Sequence, residues 1–291
     1  MYVITLSAIP SRFERLQPVL EALVGQNAPA DRVILYIPKR YRRFPDYDGS
    51  LPQVPRGVEI RQTDEDYGPA SKVLHAIKDF RDEPETDILF CDDDCIYLPD
   101  WSERFLKARQ KHPDNALCTS GWNLPFFDLA GDPYAPRPRA ISTHRYFNPG
   151  YTIRKLGTML RTGRTKLGRH EKPWRNQYLR SGYVDVVEGV GGVMVQPRFF
   201  SDEVFDIPKV LWAVDDVWLS GCAMKNGHSG WAISHGARYL HTQQRHVDAL
   251  NQAVIDDANR YEANRQCALY MKRVHGIWGG VQAGDENLDV A

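Results

Sequence analysis

The sequence predicts an α/β fold, with a mostly parallel sheet flanked by helices, in a single domain over residues 1–280 followed by a tail at 281–291. Four apolar runs in the first hundred residues have the length and the β-branched content of buried strands. Between them, residues 12–24 and 71–80 carry apolar side chains at helical spacing. Strands that alternate with helices favour crossover connections, and hence parallel pairing.

The elements follow one another in a regular order along the chain. We expect strands at 2–6, 32–37, 58–61, 86–91, 116–120 and 230–234, and strand-like runs broken by glycines within 184–195. Helices are expected at 12–24, 71–80, 100–111, 215–225 and 247–274, and the tail from Gly279 onwards is expected to fray. Ligands of such sheets bind beyond the carboxyl ends of the strands, so the residues that follow Leu6, Arg61 and Cys91 are candidate site residues.

One segment does not fit this alternation. Residues 136–180 contain twelve Lys and Arg against one acidic residue, Glu171, with no clear period beyond a short helix near 152–161. This basic insertion predicts an anionic neighbour: the diphosphate of a nucleotide, an anionic glycan, or a membrane surface. A merely solvated charged loop is the alternative.

Composition limits the classes of function. Lys and Arg together number 37 and so do Asp and Glu, so net charge gives no argument for nucleic-acid binding, and we predict none. Five cysteines form neither a disulfide framework nor a zinc motif, and the N-terminus does not read as a signal peptide. No run approaches the roughly 20 apolar residues of a membrane span. We therefore expect a cytoplasmic protein whose membrane contact, if any, is peripheral at the inner face.

The strongest chemical feature is the run of three carboxylates Asp92, Asp93 and Asp94 directly after a predicted buried strand. Adjacent like charges raise one another's pKa, and a divalent cation relieves that repulsion. Mg²⁺ and Mn²⁺ prefer such oxygen ligands and share them with phosphates. A solvated acidic turn before the next helix is the alternative.

Two other stretches carry weaker signals. Gly68 and Pro69 predict a turn ahead of a helix whose first turn contains Lys72, a poor position for a cation relative to the helix dipole unless it faces an anion. A surface lysine is the alternative. Asp215 and Asp216 open a later helix, either as partners of its dipole or with one of them as a general base.

Glycines and histidines complete the set of candidates. The glycines at 189, 191 and 192 would let a ligand approach the backbone closely. Three histidines follow the strand at 230–234, namely His235, His241 and His246, and a lone histidine is more often structural than a ligand.

Taken in chain order, these motifs resemble those of GT-A glycosyltransferases, especially inverting enzymes of family 2 and related families. The resemblance runs from Tyr2 to about His241 and excludes the basic insertion. The stretch CDDDC is similar to the DxD motif of these enzymes, and VDDVWLSG to their xED motif, with Asp in place of the usual Glu. The resemblance implies a nucleotide-sugar-binding half at 1–120 and an acceptor-binding half at 121–280.

The resemblance also implies roles for individual residues. The implied catalytic residues are Asp216, as general base, and Asp215 before it; the implied metal ligands are Asp94, Asp92 and His241, with His235 as the fallback. The residues implied in nucleotide-sugar binding are Ser7, Arg12, Asp66, Gly68, Lys72, Asp92 and Asp93. Gly191 and Gly192 are implied on the acceptor side.

The activity implied is the metal-dependent, inverting transfer of a sugar from a nucleotide-sugar, with UDP as the expected nucleotide, to a hydroxyl of a glycan or glycolipid. The implied cofactor is Mn²⁺ or Mg²⁺. A nucleotidyltransferase is the nearest competitor, although such enzymes usually carry a glycine-rich loop after the first strand, where SAIPSRFER has no glycine. A catalytically inactive nucleotide- or carbohydrate-binding protein is the second alternative.

Overall fold

An eight-stranded sheet forms the centre of the molecule. The computed structural model describes residues 1–143, 148–168, 172–173, 175–208, 212, 214–235, 239–242, 247–248, 260–282 and 285. Its strands are β1 (Tyr2–Ser7), β2 (Arg32–Pro38), β3 (Val58–Thr63), β4 (Asp87–Phe90), β5 (Cys95–Tyr97), β6 (Ala116–Cys118), β7 (Gly121–Trp122), β8 (Ile141–Ser142), β9 (Tyr178–Arg180), β10 (Gly182–Val184), β11 (Val186–Val187), β12 (Val193–Val195), β13 (Gly230–Ala232) and β14 (Tyr239–His241). Its α-helices are α1 (Gln17–Val24), α2 (Ser71–Asp79), α3 (Trp101–Arg109), α4 (Pro149–Thr162), α5 (Asp215–Lys225) and α6 (Arg260–His275).

The sheet has the strand order β10-β13-β6-β12-β4-β1-β2-β3. Strands β1, β2, β3, β4, β6 and β13 share one direction, and β12 and β10 run opposite to it. The predicted α/β fold with a mostly parallel sheet is therefore confirmed. The antiparallel strand β12 lies between two parallel ones, which the glycine-broken pattern at 184–195 did not reveal.

The core has a layer on each face of the sheet. Strands such as β1 are buried along most of their length, with Val3, Ile4 and Leu6 fully inaccessible, which explains why they read as continuous apolar runs rather than as alternating ones. One face is covered by α2, α5 and α6, the other by α1 and α3.

Two helix predictions need new boundaries. The predicted helix at 12–24 is divided into a 3₁₀ turn, Pro10–Arg15, and α1, which begins one residue before Pro18 because a proline fits the first turn of a helix and not its interior. The predicted helix at 247–274 is described only from Arg260; residues 247 and 248 form a turn, and 249–259 lie outside the described residues.

The tail from Gly279 onwards was expected to fray, and this expectation is wrong for Asp285. Asp285 is fully buried, and its carboxylate lies 2.6 Å from the Nζ atom of Lys272, which is also buried. A buried ion pair of this kind fixes both partners, because separating them would leave a charge without compensation in the interior. Within the described ranges, no helix is long and apolar enough to cross a membrane.

Candidate active site

A cavity of about 560 Å³ opens where the parallel strands end. Ser7 ends β1, Pro38 ends β2, and Asp92 follows β4 two residues beyond its end. Most of the predicted site residues line it: Ser7, Arg12, Asp66, Gly68, Lys72, Asp92, Asp93, Asp94, Asp215, Asp216 and His241. Segments far apart in the chain thus converge at one edge of the sheet, as expected of a doubly wound α/β fold.

The three consecutive aspartates are held by two buried cations. Lys72 Nζ lies 2.8 Å from Asp92 Oδ1, and the Arg12 guanidinium pairs with Asp93 and lies 3.5 Å from Asp94 Oδ2. The alternative of a solvated acidic turn is therefore wrong, because the carboxylates are engaged by side chains of distant elements.

Burial and charge determine the protonation of this cluster. The pKa of Asp93 is raised to about 7, mainly by burial and also by the charges of Asp94 and Asp92, although Arg12 acts in the opposite sense. Burial opposes the charge on Lys72, but the carboxylates around it outweigh burial and hold its pKa well above the usual value. Lys72 therefore stays a cation inside the cavity wall.

Lys72 is the second residue of α2 and is buried, so the alternative of a surface lysine is wrong. It is 6% exposed, and its Nζ also lies 2.9 Å from Asp215 Oδ2, an ion pair without hydrogen-bond alignment. The carboxylates of Asp92 and Asp215 explain why a cation is tolerated at this end of a helix.

Asp94, directly before β5, and His241, on the neighbouring strand β14, come together with a residue that the sequence reasoning missed. His241 on β14 pairs opposite Cys95 on β5, and the thiol lies 3.4 Å from both His241 Nδ1 and Asp94 Oδ1. One donor atom of each of these three residues lies within 4.8 Å of the others. Cys95 directly follows the acidic run, and that position was the only signal that could have found it.

His235 does not join this group. His235 Nδ1 lies 3.0 Å from the side-chain nitrogen of Asn176, and His235 does not line the cavity. His246 lies outside the described residues.

Asp215 and Asp216 are the first two residues of α5 and are both buried. Asp216 Oδ1 accepts a 3.0 Å hydrogen bond from the backbone N–H of Gly189, whereas Asp215 faces Lys72. The two carboxylates are adjacent in sequence but serve different partners.

The glycines of the EGVGG stretch pack closely against neighbouring residues, so that none has room for a Cβ. Gly191 and Gly192 do not line the cavity; a Cβ at Gly191 would lie 2.2 Å from Thr119 Oγ1, and one at Gly192 2.4 Å from the ring of Trp101. Both glycines thus allow close packing, and their implied place on the acceptor side stays a prediction. Gly189 is the glycine next to the site, since a Cβ there would lie 2.8 Å from Lys72 Nζ.

Asp66 and Gly68 organise the loop at the cavity mouth. The Asp66 carboxylate accepts hydrogen bonds from the backbone N–H groups of Arg42 and Gly68, at 2.7 and 2.8 Å. Gly68 has φ of +59°, and the Trp212 ring packs where its Cβ would be. Contact of Asp66 with a nucleotide stays a prediction.

A second cavity, of about 680 Å³, adjoins the first and shares Gln177, Glu188 and Asp216 with it. Its wall includes Trp122 and Phe126, whose ring centroids lie 6.1 Å apart. Sequence reasoning missed this cavity, because its residues come from segments with no recognisable motif.

Three comparisons with known proteins were made. No protein-family model matches the chain, and no curated protein matches it. Similar solved structures include S. aureus TarS, S. aureus TarS 1-349 in complex with UDP-GlcNAc, and the same fragment in complex with UDP, at 12%, 13% and 12% identity and TM-scores of 0.42, 0.47 and 0.42. The alignments cover 93%, 92% and 93% of this chain, and this chain spans 42%, 66% and 70% of those chains. Similarity at this level does not decide what the chain binds.

Proposed function

We propose that this protein is a glycosyltransferase that transfers a sugar, with inversion and with the help of a divalent metal, from a UDP-sugar to a hydroxyl of a glycan or glycolipid. The observation that supports it most is the meeting, in one cavity at the carboxyl edge of the sheet, of an acidic cluster, two buried cations and a separate carboxylate at a helix start. Each of these groups has a use in transfer from a nucleotide-sugar: carboxylates can hold a metal, cations can stabilise the diphosphate, and a carboxylate can accept the proton of the acceptor hydroxyl.

The donor's charged part would lie near Lys72 and Arg12. Both are buried cations in the cavity wall, and both already pair with the aspartates. Charge-assisted hydrogen bonds from such groups are strong in a site of low dielectric and favour the extra charge on a departing nucleoside diphosphate.

The donor atoms of Asp94 and His241 fit a divalent cation. Cys95 adds a sulfur donor, which is softer than oxygen or nitrogen and is a more common ligand of Zn²⁺ than of Mn²⁺. Asp94 and His241 are the residues we expect to hold the metal, because their donor atoms lie within 4.8 Å of each other, whereas Asp92 forms a 2.8 Å ion pair with Lys72. The cation would supply Lewis-acid neutralisation of the diphosphate leaving group.

Asp216 is the residue we propose as general base. It lines both cavities, and its carboxylate is oriented by the Gly189 N–H. An acceptor hydroxyl that enters from the second cavity would give its proton to Asp216 and attack the anomeric carbon on the face opposite the nucleotide, which inverts that carbon.

The second cavity is suited to an acceptor. Aromatic rings offer a surface for the apolar face of a sugar, and Glu188 and Gln177 offer polar atoms for its hydroxyls. Glu188 is itself held by Ser120, whose hydroxyl donates to its carboxylate.

The test is a panel of UDP-, GDP- and CDP-sugars with and without Mn²⁺, read by thermal unfolding and by release of the free nucleotide. We expect stabilisation by UDP and UDP-sugars that depends on Mn²⁺, because a ligand at about 100 times its Kd stabilises by roughly 2.7 kcal/mol. The Asp94→Ala variant should lose the Mn²⁺-dependent part and keep its fold. Binding without turnover by any acceptor would indicate an inactive binding protein, and turnover of a nucleoside triphosphate with a sugar phosphate would indicate a nucleotidyltransferase.

A further inference from the structure

Helix α4, in the basic insertion, is oriented with its apolar side outwards. Ile153, Leu156 and Leu160 lie on one face at helical spacing and are 70%, 53% and 84% exposed. The half-buried positions are Gly150, Tyr151, Arg154, Lys155, Thr158 and Met159, and no residue of the helix is buried. Helices of globular proteins normally have the opposite orientation, with the apolar stripe against the core.

All the charged residues in and just after this helix are basic. Residues 149–166 contain five Lys or Arg and no acidic residue. Three of the basic side chains, Arg161, Arg164 and Lys166, are exposed at or just beyond the end of the helix. Two further exposed apolar residues, Ile141 on β8 and Leu179 on β9, belong to the same insertion.

We propose that α4 is a membrane-docking element that lies in the surface of a bilayer of anionic phospholipids. An exposed apolar stripe on a helix with cations beside it is the arrangement by which interfacial helices bury their apolar face between lipid headgroups. The cations add attraction to acidic headgroups, which adds to the burial of the stripe.

Charge distinguishes this partner from a second copy of the chain. A second copy of α4 offers no acidic partner for Arg161, Arg164 and Lys166, because residues 149–166 contain no Asp or Glu. An anionic bilayer instead complements them. The proposal does not depend on the proposed transferase activity, because no residue of α4 lines either cavity.

The test is co-sedimentation of the full chain with vesicles of phosphatidylcholine alone and of equal parts phosphatidylcholine and phosphatidylglycerol. We expect partitioning onto the anionic vesicles that weakens with salt. The double variant Leu156→Ser with Leu160→Ser should partition at least about tenfold more weakly. The triple variant Arg161→Gln, Arg164→Gln and Lys166→Gln should lose the preference for anionic vesicles.

The matched control changes exposed apolar residues elsewhere. Leu51→Ser with Val274→Ser alters side chains that are 45% and 57% exposed outside the insertion, and should bind as the unchanged protein does. Circular dichroism checks that each variant is folded. The proposal is overturned if the unchanged protein stays in the supernatant at low salt, or if the leucine variant partitions as strongly as the control. Self-association that disappears in the leucine variant, without vesicle binding, would assign the face to a second copy instead.

Discussion

At the scale of single residues, the adjacent carboxylates Asp215 and Asp216 contact different groups. Asp215 compensates the buried Lys72, whereas Asp216 lies at the junction of the two cavities with its carboxylate held by a backbone N–H. A residue that neutralises a buried charge mainly supports stability, and a carboxylate open to an incoming hydroxyl is suited to proton transfer.

This contrast predicts different effects of two matched substitutions. Asp216→Asn should lower kcat by about 10²–10⁴-fold with UDP affinity little changed. Asp215→Asn should instead lower the free energy of unfolding by roughly 1–3 kcal/mol, since Lys72 loses one of two charged partners. Steady-state kinetics and urea unfolding of both variants separate the two roles. A fully active Asp216→Asn beside an inactive, stable Asp215→Asn would place the base one residue earlier.

At the scale of elements, the turn at Gly189–Gly191 and the residue after it set how closely β12 approaches α3. Gly192 has φ of +88°, and the Nε1–H of the fully buried Trp101 donates a 2.9 Å hydrogen bond to the carbonyl of Gly191. Side chains are excluded here by backbone conformation and by the indole ring together.

Gly192→Ala should therefore be destabilising by about 2–4 kcal/mol, because it combines an unfavourable positive φ with overpacking against Trp101. Gly157→Ala is the control: it lies in α4, where no described atom outside the helix's own backbone is within 4 Å of the added Cβ, and should stabilise by about 0.5–1 kcal/mol. The midpoints of urea unfolding measure both, and equal midpoints would contradict this account of the turn.

Helix α2 contains a histidine that should make stability depend on pH. His75 is 3% exposed between the rings of Tyr36 and Tyr67, and no described residue is a hydrogen-bond partner of its Nε2. Burial lowers its pKa to about 4, although the nearby Glu65 and Asp79 act in the opposite sense. In the unfolded chain it would titrate near the usual value of about 6.5.

Because the unfolded state binds the proton first, His75 should weaken the fold as pH falls from 6.5 towards 4, by up to roughly 3 kcal/mol, and should have no such effect above 6.5. His75→Phe keeps an aromatic ring and removes the titration. The difference in free energy of unfolding between the two proteins, measured at pH 7 and at pH 4.5, should grow in favour of the phenylalanine at the lower pH. A difference that does not change with pH would contradict the prediction.

At the scale of the whole molecule, the sheet gathers the candidate site at one edge, and helix α4 of the basic insertion has no buried residue. The sequence predicts that this insertion has an anionic neighbour. Protection from trypsin can distinguish two of the candidates, an anionic membrane and the diphosphate of the donor. Arg161, Arg164 and Lys166 are exposed, so we expect the first cuts there.

Anionic vesicles should slow these cuts if α4 docks on a membrane. UDP with Mn²⁺ should slow them if the insertion closes over the donor. Gel electrophoresis with mass spectrometry of the fragments identifies the sites. Cuts that neither addition slows would mean that the insertion is simply a solvated charged segment.

The sequence by itself determined the α/β class and the identity of most of the charged residues that line the first cavity. Buried strands such as β1 read as apolar runs, and polar residues placed directly after them, such as Asp92 to Asp94, must lie at the carboxyl edge of a parallel sheet. Both inferences need only local pattern and one topological rule.

Only the tertiary structure decided which groups face one another. The pairing of Lys72 with Asp92 and Asp215, the position of Cys95 beside His241, and the packing of Gly191 and Gly192 away from the cavity depend on contacts between distant segments. The orientation of α4 was also decided only by the tertiary structure, because a periodic apolar stripe has the same sequence whether it packs against the core or faces the solvent. Periodicity fixes which residues share a face, and only the packing of the whole chain fixes what that face meets.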